Sequence, residues 1–319
     1  MSDLQLNTLV MDGLQVRVAV QGKGPLVILC HGFPELWYSW RHQLQALAGA
    51  GFRVAAPDMR GYGGTTAPPS VEAYTRLHLV GDMVGLVRAL GERQAVIVGH
   101  DWGAVVAWTA ALLRPDLFRA VVGISVPYSP PDPTDVLSTL ETWGIHDFYI
   151  QYFQAPGVAE AELERDVESS MRKILHCGSG DWQGEPAFGR IALERGFLGN
   201  MREPATLSPW LTEEDITYYA SEFTRTGFRG GLNWYRTLKT SCELMSPWRG
   251  CRVRQPALFM AGARDSVLDF PGIPQLIEAL PRTAPELRGC HLLQGAGHWV
   301  QQERPADVNE LLLDFLRGL

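Results

Sequence analysis

The chain has 319 residues, of which 46% are hydrophobic and 20% are charged, and its formal net charge is −7. This composition is typical of a globular protein with a large buried core. The net negative charge and the lack of a Lys/Arg block argue against nucleic acid and anionic membrane surfaces as partners. The sequence leaves the oligomeric state open.

The N-terminus and the cysteines bear on location and cofactors. Residues 1–20 contain no basic region followed by an apolar stretch, and later apolar runs are too short to cross a membrane. We therefore expect a cytoplasmic protein. The five cysteines are scattered and lack the spacing of a metal site or a disulfide framework. We expect reduced thiols, no bound metal and no organic cofactor.

Short apolar runs, each bounded by Gly or Pro, predict fully buried strands. Longer helix-like stretches lie between them, and this alternation predicts a mostly parallel sheet flanked by helices. The last helix begins near Pro305 and ends at Gly318, with apolar residues at helical spacing. The predicted strands comprise residues 26–30, 53–56, 95–98, 120–125 and 257–261.

The alternation of strands and helices stops between residues 130 and 247. This segment opens with Pro130-Pro131-Asp132-Pro133, continues as helix-like sequence rich in Tyr, Trp and Phe, and closes near Pro247. The sequence therefore predicts an α-helical lid, residues 130–247, inserted into a core formed by residues 1–129 and 248–319. Ligand pockets favour such interfaces between domains.

The clearest motif is Gly99-His100-Asp101-Trp102-Gly103, which follows a predicted strand and precedes an apolar helical run. Glycines two residues before and after a central residue permit a tight strand-to-helix turn, which lifts the central side chain to the carboxyl edge of the sheet. Here the central residue is Asp101. The following helix directs its backbone N–H groups towards the same place.

An aspartate at this position predicts particular chemistry. A carboxylate is ionised at neutral pH, so Asp101 needs no base in order to attack. Its attack on a saturated carbon would give an alkyl ester of the enzyme. The alternative is that Asp101 only caps the helix that follows it.

A second motif, His31-Gly32-Phe33-Pro34, follows the first predicted strand. Its turn could place the backbone N–H of Phe33 beside the N–H of Trp102, and the two would form an oxyanion hole at the substrate. By itself this motif could also be only a tight turn.

His298 lies in a Gly-rich loop just before the last helix, which suits a general base that activates water. His31 and His100 are the competing histidines, but each adjoins a motif position and is better suited to holding a loop by hydrogen bonds. Asp265 directly follows the predicted strand 257–261 and is the candidate acid that orients the base, with Asp269 as the alternative. The order of nucleophile, acid and base along the chain is typical of one enzyme fold, the α/β-hydrolase fold.

Over nearly its full length the chain resembles epoxide hydrolases of the α/β-hydrolase fold, of the soluble microbial type without a phosphatase domain. The resemblance rests on H-G-F-P at residues 31–34, P-D-M-R-G-Y-G at 57–63, G-H-D-W-G at 99–103 and G-H-W at 297–299. Two lid segments, residues 148–157 and 231–236, look like those that carry the family's ring-opening tyrosines. The resemblance implies this role for Tyr149 and Tyr235, with Tyr152 as a competitor for the first.

This resemblance implies hydrolysis of a small apolar epoxide to a vicinal diol through an ester on Asp101. A haloalkane dehalogenase would share the nucleophile, the base and the ester, and Trp102 could hold its halide. Phe33, however, occupies a position where many such enzymes carry Asn, and the paired tyrosines favour epoxides. A catalytically silent small-molecule-binding relative is a further alternative, which the intact Asp101, Asp265 and His298 disfavour.

Overall fold

An eight-stranded sheet forms the centre of the structure, a computed structural model that describes residues 4–319. The strands are β1 (Gln5–Met11), β2 (Leu14–Gln21), β3 (Leu26–Cys30), β4 (Arg53–Pro57), β5 (Ala95–His100), β6 (Phe118–Ile124), β7 (Ala257–Gly262) and β8 (Leu287–Leu293). Their spatial order is β1-β2-β4-β3-β5-β6-β7-β8. The β1–β2 and β2–β4 pairs are antiparallel, and all other neighbours are parallel.

The five predicted strands are present, with small differences at their ends. The strand before the Asp101 motif extends through His100, and β6 ends at Ile124 instead of Ser125, which adopts a left-handed conformation with φ 72°. β3, β5 and β7 are buried at every position, as their continuous apolar sequences predicted. Strands β1, β2 and β8 were not predicted, because their buried and exposed residues largely alternate.

Helices cover both faces of this sheet. They are α1 (Arg41–Gly49), α2 (Arg76–Ala89), α3 (Trp102–Leu113), α4 (Val136–Thr142), α5 (Tyr149–Tyr152), α6 (Val158–Leu163), α7 (Val167–Cys177), α8 (Glu213–Thr226), α9 (Arg229–Arg236), α10 (Leu238–Leu244), α11 (Ile273–Thr283), α12 (Val300–Glu303) and α13 (Pro305–Arg317). One core packs α1 and α13 against one sheet face, and a second packs α2 and α3 against the other and continues into the helices between β6 and β7. No helix among residues 4–319 is long and apolar enough to cross a bilayer.

The chain between β6 and β7 is helical and contains α4 to α10. Ion pairs attach α8 to the core, with Arg17 2.9 Å from Glu222 and Arg41 3.2 Å from Asp215. This segment is where the sequence places the lid, and the boundaries at residues 130 and 247 stay a prediction.

The strand order places a crevice between β3 and β5. From β3 the chain crosses to β4 on one side, whereas β5 lies on the other side, so the two loops that follow β3 and β5 separate at this point. Open α/β sheets bind ligands at such a switch point, outside the carboxyl ends of the strands. Phe33 follows β3 and Asp101 follows β5, so both residues stand at this crevice.

Candidate active site

Asp101 stands at a tight turn between β5 and α3. Its backbone has φ 53° and ψ −121°, a conformation that an L-residue adopts only when its surroundings enforce it. A Cβ on Gly99 would lie 1.9 Å from the carbonyl oxygen of Gly103, and a Cβ on Gly103 would lie 2.0 Å from that of Cys30. Only glycine fits at these two positions, which is why the motif carries a glycine on each side of Asp101.

Backbone donors surround the Asp101 carboxylate. The N–H of Phe33 donates to Oδ1 at 2.9 Å, and the N–H of Trp102 donates to the same carboxylate. Burial raises the pKa of Asp101, and nearby His298 and these two donors oppose that rise. The structure thus brings Phe33 and Trp102 to the place where an oxyanion would form during breakdown of an Asp101 ester.

His298 lies between the two carboxylates that the sequence singled out. Its Nδ1 is 3.0 and 3.2 Å from the two carboxylate oxygens of Asp265, and its Nε2 is 3.8 Å from Oδ2 of Asp101. Asp265 is buried, whereas the alternative acid Asp269 is exposed. The gap between Nε2 and Asp101 exceeds a direct hydrogen bond, so a water molecule beside both groups would be within reach of the base.

The charges in this group depend on one another. Burial lowers the pKa of His298, but the negative charges of Asp265 and Asp101 raise it by more than burial lowers it. The pKa of His298 is therefore about 9. Burial raises the pKa of Asp265, but His298 and the hydroxyl of Ser125 bring it below its ordinary value. In the free enzyme these shifts favour an imidazolium paired with the carboxylate of Asp265.

Ser125 is a member of this group that the sequence did not reveal. Its hydroxyl donates to Oδ2 of Asp265 at 2.6 Å and lies 3.1 Å from Nδ1 of His298. The left-handed backbone at Ser125, directly after β6, aims the side chain at the neighbouring strand end. A single serine at the end of a predicted strand gave no signal for this contact.

The two competing histidines hold loops. His31 Nε2 accepts a hydrogen bond from the backbone N–H of Met59 at 2.9 Å. The Nε2 of His100 lies 2.7 Å from the carbonyl oxygen of His298, and its Nδ1 lies 2.7 Å from the carboxylate of Glu35. Since a carbonyl only accepts, His100 donates to the backbone of the candidate base, and Glu35 is a second residue that sequence reasoning missed.

The two lid tyrosines meet above Asp101. Tyr149 from α5 and Tyr235 from α9 have ring centroids 6.0 Å apart, and both line the same cavity as Asp101. Burial raises the pKa of both hydroxyls, so both keep their protons at neutral pH. Tyr152 does not line that cavity, and its hydroxyl instead donates to Glu162 at 2.9 Å.

The remaining walls of this cavity are apolar. Phe33 lines it from the core and Phe188 and Phe197 line it from the lid, and the Phe188 ring lies 5.1 Å from that of His298. Val267 completes the wall beside Asp265. The sequence did not single out Phe188, Phe197 or Val267, because they lie outside the motifs.

The comparisons with known proteins agree with this geometry. The family model described as "alpha/beta hydrolase fold" matches residues 25–305. "Epoxide hydrolase A" of Mycobacterium tuberculosis is 45% identical over 97% of this chain and 96% of its own length. "Epoxide hydrolase 2" of Siraitia grosvenorii is 42% identical over 99% of both chains. The crystal structure of epoxide hydrolase A from Mycobacterium thermoresistibile superposes with a TM-score of 0.92 at 45% identity, covering 99% of each chain.

The chain therefore belongs to the epoxide hydrolases of the α/β-hydrolase fold family and is an enzyme. The predicted fold class and the family resemblance are confirmed.

The role of Ser125 can be tested by Ser125→Ala. The change removes a donor to the Asp265 charge, so the unfolding free energy at neutral pH should fall by about 1.5–3 kcal/mol. Because this donor lowers the pKa of Asp265, its contribution is present above the ordinary aspartate pKa and is lost as pH falls through the folded pKa. The difference from wild type should therefore shrink on acidification, as measured by denaturant unfolding between pH 7 and pH 3.

Ser170→Ala is the matched control, because Ser170 is also buried but donates to a neutral acceptor, the carbonyl oxygen of Leu163 at 2.9 Å. Its loss should be smaller and independent of pH. Equal, pH-independent losses in both variants would show that Ser125 does not support the charge on Asp265.

Proposed function

We propose that the protein adds water to a small apolar epoxide to give a vicinal diol, through an ester on Asp101. The observation that carries the proposal is that one narrow cavity is lined by Asp101, by His298 with its Asp265 partner behind it, and by the two lid tyrosines. The membership in the epoxide hydrolase family supports the same reaction.

In the first step, a carboxylate oxygen of Asp101 attacks one carbon of the epoxide ring. The bond from that carbon to the ring oxygen breaks, and the oxygen stays attached to the substrate as a developing alkoxide. Tyr149 and Tyr235 donate hydrogen bonds to that oxygen, and one of them gives it a proton. Their raised pKa values keep both hydroxyls protonated until the alkoxide forms. The resulting tyrosinate regains a proton from the His298 imidazolium, which leaves His298 neutral for the next step.

In the second step, water attacks the carbonyl carbon of the Asp101 ester while Nε2 of His298 takes its proton. The N–H groups of Phe33 and Trp102 stabilise the oxyanion. On collapse the bond from the carbonyl carbon to the substrate oxygen breaks, the proton of the new Asp101 carboxyl group passes to that oxygen, and the diol leaves with Asp101 ionised again. Alkylation removes the negative charge of Asp101, which is one of the causes that raise the pKa of His298. The base therefore becomes easier to deprotonate at the step in which it is needed.

The aromatic walls support an apolar substituent on the substrate. Phe33, Phe188 and Phe197 line the cavity, and the polar side chains among its lining residues belong to the proposed reaction. An apolar group gains free energy when it leaves water for such a surface, whereas a charged substituent would lose its hydration without a partner.

The reaction class is tested with a simple aryl epoxide and a chloroalkane of similar size. We expect conversion of the epoxide to diol, measured by chromatography, and no chloride release above background. Chloride release without diol formation would favour the dehalogenase, and turnover of neither compound would favour a silent binding protein.

The division of labour is tested by His298→Gln. Asp101 is already ionised and needs no base, so ring opening should survive, whereas ester hydrolysis should fall by on the order of 10²-fold or more. Intact mass spectrometry after epoxide addition should show a protein adduct. Asp101→Ala is the control and should form neither adduct nor diol. A His298→Gln protein that forms no adduct would contradict the proposed sequence of steps.

The tyrosines are tested by single Tyr→Phe changes, which keep the ring and remove the hydroxyl. Tyr149→Phe and Tyr235→Phe should each lose a hydrogen bond to a developing charge, about 1.5–3 kcal/mol. Alkylation should then slow about ten- to a hundredfold in single-turnover kinetics, and ester hydrolysis should change little. Tyr152→Phe is the matched control, since its hydroxyl binds Glu162 and not the cavity. If Tyr152→Phe alone slows alkylation, the first donor is misassigned.

A further inference from the structure

Glu303, at the end of α12, is a buried carboxylate that no step above uses. It is 7% exposed, and its two oxygens accept hydrogen bonds from three backbone N–H groups. Oε1 accepts from Trp299 at 3.0 Å and from Gly297 at 3.1 Å, and Oε2 accepts from Gly297 at 2.9 Å and from Gly180 at 2.8 Å. Trp299 and Gly297 flank His298, whereas Gly180 belongs to the helical insertion between β6 and β7.

Further contacts attach the same part of the insertion to the loop that carries His298. The backbone N–H of His298 donates to the carbonyl oxygen of Gly178 at 2.7 Å. The indole N–H of Trp299 donates to the carbonyl oxygen of Leu175 at 2.9 Å. Both carbonyls lie at the C-terminal end of α7, where a helix leaves its last carbonyls without internal partners. The end of α7 is thus bonded directly to the residue proposed as the base.

The backbones of the two segments approach too closely for side chains. A Cβ on Gly297 would lie 2.4 Å from the carbonyl carbon of Ser179, and a Cβ on Gly180 would lie 2.5 Å from the oxygen of Gly295. Glu303 reaches into this junction and binds N–H groups from both sides. A small displacement of either segment would therefore be transmitted to His298.

The donors around Glu303 require an acceptor at both oxygens. Each oxygen faces at least one N–H that the other oxygen does not bind, Trp299 at Oε1 and Gly180 at Oε2. A glutamine in the same place would direct its NH₂ group at one of these donors in either orientation. A protonated carboxyl group would meet the same conflict.

We propose that Glu303 is a positioning residue that joins the lid to the His298 loop and thereby places His298 for hydrolysis of the ester. This inference rests on the proposed role of His298 as the base. Glu303 does not line the cavity, so it acts through the backbone on either side of His298 and not on the substrate. Alkylation, carried out by Asp101 and the tyrosines, does not depend on it.

Glu303 also gives the junction a dependence on pH. Burial raises its pKa to about 7, against the opposing effect of its backbone donors, and nearby Asp265 adds to the rise. Protonation near neutral pH would convert one acceptor into a donor and loosen the junction. Asp265 is the charged group that acts on Glu303 from the core. Arg264 and Arg304 bind the carbonyl oxygens of Gly180 and Gly295 at the same junction. On the side of the insertion, His176 and Asp181 contact Ser179 Oγ through their backbone atoms.

The test is single-turnover kinetics of Glu303→Gln with an aryl epoxide, with alkylation followed by rapid quenching and mass spectrometry. Misplacing a catalytic group by about 1 Å can cost on the order of 10²-fold, so we expect ester hydrolysis to slow about ten- to a hundredfold. Alkylation should stay within about twofold of wild type, and the ester should accumulate.

The pH profile of ester hydrolysis gives a second readout that a merely structural role would not alter. In wild type, the rate should fall on the acid side through two groups, His298 in the ester enzyme and Glu303. In Glu303→Gln, the fall in rate at acid pH should reflect the titration of His298 alone. The wild-type profile can be measured without any variant. If the wild-type rate falls at acid pH through only one titrating group, the proposal is contradicted even if Glu303→Gln does not fold.

Asp82→Asn is the matched control for a lost buried carboxylate. Asp82 is 9% exposed on α2 and pairs with Arg60 at 2.6 and 2.8 Å, without contacting the His298 loop. It should lower the melting temperature without changing the ratio of alkylation to hydrolysis. An equal effect of both variants on that ratio, or normal hydrolysis in Glu303→Gln, would overturn the positioning role. Absence of an ester in wild type and in both variants would instead refute the proposed Asp101 chemistry.

Discussion

Two buried carboxylates, Asp101 and Asp265, share one buried imidazole, and the rest of the site is arranged around that charge group. Removing an ion from water costs several kcal/mol unless it is paired and hydrogen-bonded. Each carboxylate therefore has backbone or hydroxyl donors in addition to His298. Phe33 donates to Asp101, and Ser125 and Val267 donate to Asp265. These donors let the site hold more negative than positive charge without opening it to solvent.

The same requirement explains the polar residues behind the site. Glu35 is fully buried, and its oxygens lie near donors on His100, Gln301 and Gln302, at 2.7, 2.9 and 3.0 Å. His100 in turn binds the backbone carbonyl of His298. Both oxygens of Glu35 therefore have side-chain partners, and satisfied buried polar groups favour one arrangement of their surroundings. The site also contains backbone strain, because Asp101 and Ser125 both have positive φ.

The sequence predicted the parts of the site that depend on local chain geometry. Gly99 and Gly103 identify the turn around Asp101, because a tight turn leaves a pattern that can be read over five residues. Asp265 was placed by its position after a predicted strand, since the carboxyl ends of parallel strands meet at one edge. His298 was placed by its Gly-rich loop just before the last helix. Tyr149 and Tyr235 could be named only through the family resemblance, because nothing local distinguishes them from packing residues.

Residues whose contacts depend on distant segments were not predictable in this way. Ser125 reaches Asp265 and Glu303 reaches Gly180 across 140 and 123 positions of sequence, and neither lies in a recognisable pattern. Phe188 is in an irregular part of the insertion, so periodicity gave no information about its side chain. The strands β1, β2 and β8 were missed for a related reason, since their partly exposed positions interrupt the apolar runs.

The helical insertion supplies side chains to this site from separate places along its length. Tyr149 comes from α5, Phe188 from an irregular segment and Tyr235 from α9, whereas Asp101 and His298 come from the core. The distance between Asp101 and the two tyrosines is therefore set by how the insertion packs on the core. Arg17 with Glu222 and Arg41 with Asp215 attach α8, just before the helix of Tyr235. Partly exposed ion pairs contribute about 0–1 kcal/mol to stability, so their value here lies in fixing the position of α8. Reaction rates respond steeply to misplacement of the reacting groups. These two ion pairs are thus expected to matter more for turnover than for folding.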